Sequence, residues 1–356
     1  MTFSEQKAEA FAESMMASFN AGALCLMVSI GHRTGLFDAM AVLEPASSAD
    51  IARKAGLNER YVREWLGAMT SAKVIECVPA GPKYHLPREH AAALTRDASP
   101  NNMAVFAQYV PLLGQVEEEI IDCFRAGGGV PYEKYPRFHQ VMAEESEQTI
   151  VAALEEHILP LVPNILAGLE RGIRVLDVGC GSGRALHLLA ARFPRSRFAG
   201  YDLSPEALDR ATQTATERGL TNLVFAQRDL SDFHENEESE RFDFVTSFDA
   251  VHGQGQPLNV LKGIAKALRP DGTYLMQDVA ASSYHHENVD HPLGPLLYTI
   301  SRMHCMTVSL AQSGEGLGAM WGREKAREML EAAGFRSIEI RSLPHDIAND
   351  YYIVNK

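Results

Sequence analysis

Residues 173–183 read Ile-Arg-Val-Leu-Asp-Val-Gly-Cys-Gly-Ser-Gly, an apolar strand running straight into glycine at every second position. Without a Cβ, Gly179, Gly181 and Gly183 admit backbone conformations that other residues avoid, and free N–H groups at the start of the next helix can face a ligand. Asp177 sets a carboxylate just ahead of this loop. The spacing is G-x-G-x-G, whereas a dinucleotide fingerprint requires G-x-G-x-x-G, and the position it needs is Arg184. The turn therefore predicts a strand–loop–helix ligand site and argues against a nicotinamide enzyme.

Downstream, strand patterns at 175–178, 197–201, 223–227, 242–248, 273–278, 337–341 and 351–354 alternate with helical ones. Alternation at this spacing predicts an α/β fold with a mostly parallel, seven-stranded sheet covered by helices on both faces. The short loop before the last strand predicts a C-terminal antiparallel hairpin at the sheet edge. With 356 residues the chain exceeds what one core usually organises, about 250–300 residues, so two domains are expected.

The upstream part is mainly helical. Phe11, Met15, Phe19, Ala23, Met27, Ile30 and Leu36 recur at helical spacing and predict two packed helices over 5–45. Ser47 can cap a helix that Gly56 ends, and Asn58 opens another with Val62, Trp65, Leu66 and Met69 on one face. Val74–Val78, a Pro-Ala-Gly-Pro turn at 79–82 and Lys83–Leu86 then predict a hairpin, completing a winged helix. Glu59, Arg60, Arg63 and Glu64 mix charges on the exposed face of the second helix, and the net charge is −13. Neither suits a polyanion, so nucleic acid is not an expected partner, and a dimerisation or lid role is preferred. The divisions expected are a winged-helix dimerisation domain at 1–97, a helical connector at 98–170 and a ligand-binding domain at 171–356 with an insertion at 281–322. The connector carries Gly127–Gly129 and Pro-Tyr-Glu-Lys-Tyr-Pro at 131–136.

Five scattered cysteines without a C-x-x-C pair suggest neither a disulfide framework nor a zinc site, and fit a reducing compartment. No basic segment leads into an apolar run at the N-terminus, and the apolar stretch Ala21–Gly31 is too short to span a bilayer. A soluble, cytoplasmic protein without a membrane partner is expected.

Open α/β sheets bind ligands at the carboxyl ends of their strands. Asp177, Asp202, Asp229 and Asp249 end or follow the first four strands. Alone, each is explained as a helix cap or loop residue. As an ordered set they suit a nucleoside, with Asp202 placed for a ribose diol and Asp229 for an exocyclic amine. Together with the glycine loop, Leu-Arg-Pro-Asp-Gly-Thr at 268–273 and the terminal hairpin, this set resembles the Rossmann-like class I S-adenosylmethionine-dependent methyltransferases over 173–356. The resemblance implies S-adenosyl-L-methionine as methyl donor and S-adenosyl-L-homocysteine as product. It implies a pocket formed by Asp177, Gly179, Gly181, Gly183, Asp202, Leu203, Asp229, Leu230, Phe248 and Asp249. The N-terminal part resembles the dimerising domain of small-molecule O-methyltransferases, implying a homodimer. Residues 303–312, Met-His-Cys-Met-Thr-Val-Ser-Leu-Ala-Gln, resemble a bacterial group of largely unassigned substrate.

His252 falls where the small-molecule O-methyltransferases place a general base, and an imidazole suits that work. Those enzymes usually have Asp next, and here it is Gly253, so a pocket-shaping loop histidine stands as the other reading. The insertion is rich in His and Met, and Tyr132, His291, Tyr298 and Met303 are the acceptor-contact candidates. His285, His286 and His291 lack a carboxylate or thiol at a ligand interval, so no metal is expected. Cys305 reads as a buried core residue. The acidic run 235–240 reads as a solvated surface turn. The expected activity is methyl transfer to a heteroatom, oxygen first, of a small molecule. S-methylation of a thiol and a silent cofactor-binding regulator acting through the winged helix are the alternatives.

Overall fold

The computed structural model describes residues 2–78, 81–236 and 239–356; Pro79 and Ala80 of the expected turn, and Glu237 and Glu238 of the acidic run, lie outside the described residues. The chain divides into two compact units, Met1–Gly114 and Gln115–Lys356, so the 98–170 stretch is shared between them.

In the first unit the expected pair of helices over 5–45 is a 30-residue helix, Glu5–Thr34, followed by a short one, Leu36–Ala41. Ser4 caps the long helix, and Gly35 ends it at φ 72°, a left-handed value that favours glycine. The apolar run Ala21–Gly31 is thus only part of a longer helix, which by length and composition is apolar enough to cross a membrane. Helices Ser48–Ala55 and Glu59–Ser71 are capped by Ser47 and Asn58, and β1 (Glu76–Val78) pairs antiparallel with β2 (Lys83–His85) as the wing. Phe37, Ile51, Trp65, Leu66 and Met69 fill the core. Trp65 fixes the long helix to it, because its Nε1 donates to the Met27 carbonyl at 2.8 Å and its ring meets Phe37 edge-on at 5.4 Å.

The second unit is the expected seven-stranded sheet, in the order β5-β4-β3-β6-β7-β9-β8. Its strands are β3 (Arg174–Val178), β4 (Arg197–Asp202), β5 (Leu223–Gln227), β6 (Phe242–Phe248), β7 (Leu268–Val279), β8 (Ser337–Leu343) and β9 (Asp346–Asn355). The first five run parallel, while β9 pairs antiparallel with both β7 and β8. β7 begins earlier than the sequence predicts, since Leu268 already pairs with Phe242 before a register shift brings Thr273 opposite Phe244. Two buried clusters cover the two faces, one around Val260, Ile264 and Tyr274, the other around Leu186, Leu189 and Phe244. Successive connections leave β3 and β6 in opposite directions, so the crevice of an open sheet lies at their carboxyl ends.

Trp65→Ala removes a buried ring and its hydrogen bond together. It is expected to destabilise the first unit by about 3–5 kcal/mol, read as a lower denaturant midpoint by Trp65-independent circular dichroism.

Candidate active site

The three loop glycines do different jobs. All have positive φ, at 74°, 53° and 68° for Gly179, Gly181 and Gly183. A Cβ on Gly179 would lie 2.4 Å from the Ala250 Cβ, and one on Gly183 would lie 2.5 Å from the Phe225 ring. These two let the loop press against its neighbours. A Cβ on Gly181 would meet nothing within 4 Å, so this residue faces open space. The Gly181 N–H donates to Asp202 Oδ2 and the Ser204 N–H to Asp202 Oδ1, both at 2.8 Å. Asp202 thus ties the first loop to the second, and each carboxylate oxygen keeps a lone pair for a further donor such as a hydroxyl. The helix Arg184–Arg192 starts at Gly183 with no side-chain cap, leaving N-terminal N–H groups for an anionic partner.

Asp177 and Asp249 carry buried carboxyls. Burial pushes Asp177 up to about 7, against the hydrogen bond it accepts from Thr246 Oγ1 at 2.7 Å. Burial, then the charge of Asp278, pushes Asp249 up to about 8, with His252 opposing. Asp249 sits at φ 48°, a strained value for a non-glycine residue, and its Oδ2 accepts from Gln277 Nε2 at 3.1 Å. Its Oδ1 is buried with no partner. A buried, undonated carboxylate oxygen is costly, and a cationic ligand group would relieve it. Asp229 accepts from the Ser231 N–H at 2.9 Å, capping the turn Leu230–Asp232. Leu203 is 48% exposed and free to cover a flat ligand, Leu230 is in the core, and Phe248 is half-buried at the end of β6.

His252 is buried, and its Nδ1 lies 2.8 Å from Asp278 Oδ1 at the end of β7. The same oxygen accepts from Trp321 Nε1 and the Val279 N–H, each at 2.9 Å. Burial pulls the His252 imidazole down, but the charge of Asp278, the neighbouring Cys305 sulfur and the hydrogen bonds to both outweigh it and raise the ring well above its ordinary value. The carboxylate missing at Gly253 is therefore supplied from the next strand. Asp278 stands in the sequence at a strand end, like the four acids singled out there, and the strand-end rule applied to strand five finds it. Cys305, read from the sequence as a core residue, is buried but also borders His252.

Among the described residues, Asp249, His252 and Asp278 offer ligand atoms within 4.8 Å of one another, a set sequence spacing did not show. The His252 nitrogen facing Asp278 is engaged in the hydrogen bond. Of the acceptor-contact candidates, Tyr132 packs edge-on against His304 at 5.4 Å, and the Met303 carbonyl accepts from the Tyr135 hydroxyl. His291 lies elsewhere, with Nε2 on the Ala280 carbonyl at 2.8 Å and Nδ1 accepting from the Leu293 N–H at 3.1 Å. Both ring nitrogens hold the loop. Tyr298 receives a hydrogen bond from Asn288 and packs in the cluster of Val279 and Leu297.

Residues 22–96 match the Rv2258c-like winged HTH domain, and residues 169–334 match a methyltransferase domain. The chain joins a winged helix to a methyltransferase domain. A ubiquinone biosynthesis O-methyltransferase of Actinobacillus pleuropneumoniae is 32% identical over 111 residues, 30% of this chain and 46% of that protein. The chain spans about half the length of the curated relatives it matches. The structure of human N-acetylserotonin methyltransferase in complex with SAM aligns over 100% of this chain and 99% of that one, at 18% identity and TM-score 0.72. An O-methyltransferase family protein from Burkholderia thailandensis aligns over 100% and 99%, at 16% identity and TM-score 0.67. The whole-chain likeness shows the fold, and the methyltransferase domain accords with the S-adenosylmethionine-dependent class read from the sequence.

The residues present fit that donor. The orphaned Asp249 Oδ1 suits a cation, the open space over Gly181 suits a close backbone approach, and Asp202 suits hydroxyls. Protonated at lower pH, Asp177 and Asp249 offer no charge to a cation; above their raised values they do. S-adenosylmethionine binding is expected to tighten and to release protons as pH rises from about 6 to 8.5, with Asp249→Asn flattening the trend. Titration calorimetry in buffers of different ionisation enthalpy reads both, and pH-independent binding to the parent protein would remove this role.

Proposed function

We propose that this chain transfers a methyl group from S-adenosyl-L-methionine to an oxygen of a small molecule, leaving S-adenosyl-L-homocysteine. The single observation that carries the reading is the buried His252–Asp278 pair beside the glycine-loop crevice. The site residues act here in the roles the sequence assigned. Asp202 would hold the ribose, the Asp229–Leu230 pair the adenine, and the loop of Gly179, Gly181 and Gly183 would border the methionine end. Bound donor supplies a methyl on a cationic sulfur, which an entering lone pair can displace. The protein's part is to place the acceptor in line, exclude water and take its proton.

His252 suits the last task. Asp278 orients the ring through Nδ1 and makes the other nitrogen, Nε2, the stronger base. A thiol ionises near neutrality and needs no such base, so the buried pair favours an oxygen acceptor over S-methylation. The regulator reading is disfavoured by pairing within the winged helix, where Arg60 meets Glu64 and Arg63 meets Glu59, leaving little charge for phosphates.

The parts at 1–97, 98–170 and 171–356 act in this reading as dimerisation module, connector and catalytic domain. Phe11, Met16 and Phe19 on the Glu5–Thr34 helix are each more than 60% exposed, a surface that suits a second copy of the chain. Free thiols suit the cytoplasm.

His252→Gln should lower kcat by about a hundredfold or more while S-adenosylhomocysteine affinity holds, measured by product release over a panel of phenols and thiols. For the parent protein kcat falls as pH drops through the raised imidazole value, and Asp278→Asn should move that limb to lower pH. Unchanged turnover in His252→Gln rules out the base. Phe11→Asp with Phe19→Asp should convert a dimer to a monomer in sedimentation velocity, and a persistent dimer places the interface elsewhere.

A further inference from the structure

His304 lies at the fourth position of a wide π-type turn, Ser301–Cys305, a geometry that recurs at functional sites. Its ring is 7% exposed and stacks on Phe138 at 3.4 Å between centroids and 6° between planes. Tyr135 meets it edge-on at 4.8 Å, as Tyr132 does from another side. Aromatic contacts thus fix where the imidazole sits, yet neither Nδ1 nor Nε2 has a hydrogen-bond partner. His139 repeats the pattern beside it. Its Nδ1 lies 3.1 Å from the Tyr132 hydroxyl, and its Nε2 is buried and unpartnered.

Three in-plane ring nitrogens therefore stand open in one aromatic enclosure. Buried polar atoms are almost always paired, and unpaired ones mark a place where a partner arrives. The enclosure adjoins the site, because His304 immediately precedes Cys305, which borders His252. Tyr132 lies within electrostatic reach of Asp202, and His304 of His252 and His139. Burial, followed by those two neighbouring imidazoles, holds His304 neutral. A neutral imidazole shows one N–H and one lone pair, which match an uncharged hydroxyl or carbonyl better than an anion.

We propose that His304, assisted by His139, recognises the methyl acceptor through an uncharged oxygen substituent other than the one methylated. The acceptor is then a molecule with at least two oxygen substituents, one addressed by His252 and one by the His304–His139 pair. This rests on the methyl-transfer reading for the site's purpose, but its test does not depend on turnover.

The probes are catechol, with two adjacent hydroxyls, and phenol, with one, titrated into the S-adenosylhomocysteine-loaded full chain by calorimetry. His304→Phe keeps a ring stacked on Phe138 and removes both nitrogens, and His304→Asn returns a donor and an acceptor. The parent protein should bind catechol about tenfold more tightly than phenol. His304→Phe should abolish that preference without altering phenol or S-adenosylhomocysteine affinity, and His304→Asn should recover part of it. Equal loss of both probes in His304→Phe, no preference in the parent, or no binding of either probe overturns the inference. Preferred binding of catechol in this complex, with no methylated product from catechol or the phenol and thiol panel once S-adenosylmethionine replaces the homocysteine, would instead overturn the methyl-transfer reading and leave the recognition role standing.

Discussion

Everything at the site follows from β3 and β6 being parallel neighbours whose connections leave in opposite directions. The chain cannot close over the carboxyl ends of both, so their loops diverge and a crevice stays open. β3 delivers the glycine loop to one wall. β6 delivers Asp249 and His252 to the other, and β7, the next strand, brings Asp278 alongside. The register that pairs Asp177 with Thr246 puts a hydrogen bond between their side chains across the same gap.

That crevice concentrates acids under a low-dielectric roof. Asp177 and Asp249 are carboxyls that burial makes hard to ionise, and Asp278 is buried close to Asp249. The site manages this unevenly. Asp278 is compensated by His252, Trp321 and a backbone N–H, all on one oxygen. Asp249 is left short of a donor and held in a strained conformation. An incompletely satisfied buried acid lowers the stability of the empty site, and a cationic ligand recovers it.

The frame was legible because it is built from local signals. Seven strand patterns, a glycine loop and the caps Ser47 and Asn58 each announce themselves within a few residues, and the sheet followed from their alternation. The failures involve distance in sequence. Asp278 and His252 are 26 residues apart, and Trp321 is 43 beyond Asp278, so no spacing rule joins them. His291 was singled out for its type, and the partners of its two nitrogens, the Ala280 carbonyl and the Leu293 N–H, appear only in the fold. Periodicity also missed how Gly35 ends one long helix, because it reports a face and not where a backbone turns.

The wide turn at Ser301–Cys305 gives this site an unusual adjustability. Neighbouring residues on a helical turn point in different directions, so from one short segment His304 stacks on Phe138 while Cys305 borders His252. An added residue in a turn is a single insertion or deletion, not a set of coordinated substitutions. Tightening it to ordinary α geometry would swing every later side chain of the segment around the axis while leaving the sheet, the glycine loop and Asp278 untouched. Acceptor choice in such a scaffold can drift by changes in helical phase, with the donor machinery inherited intact.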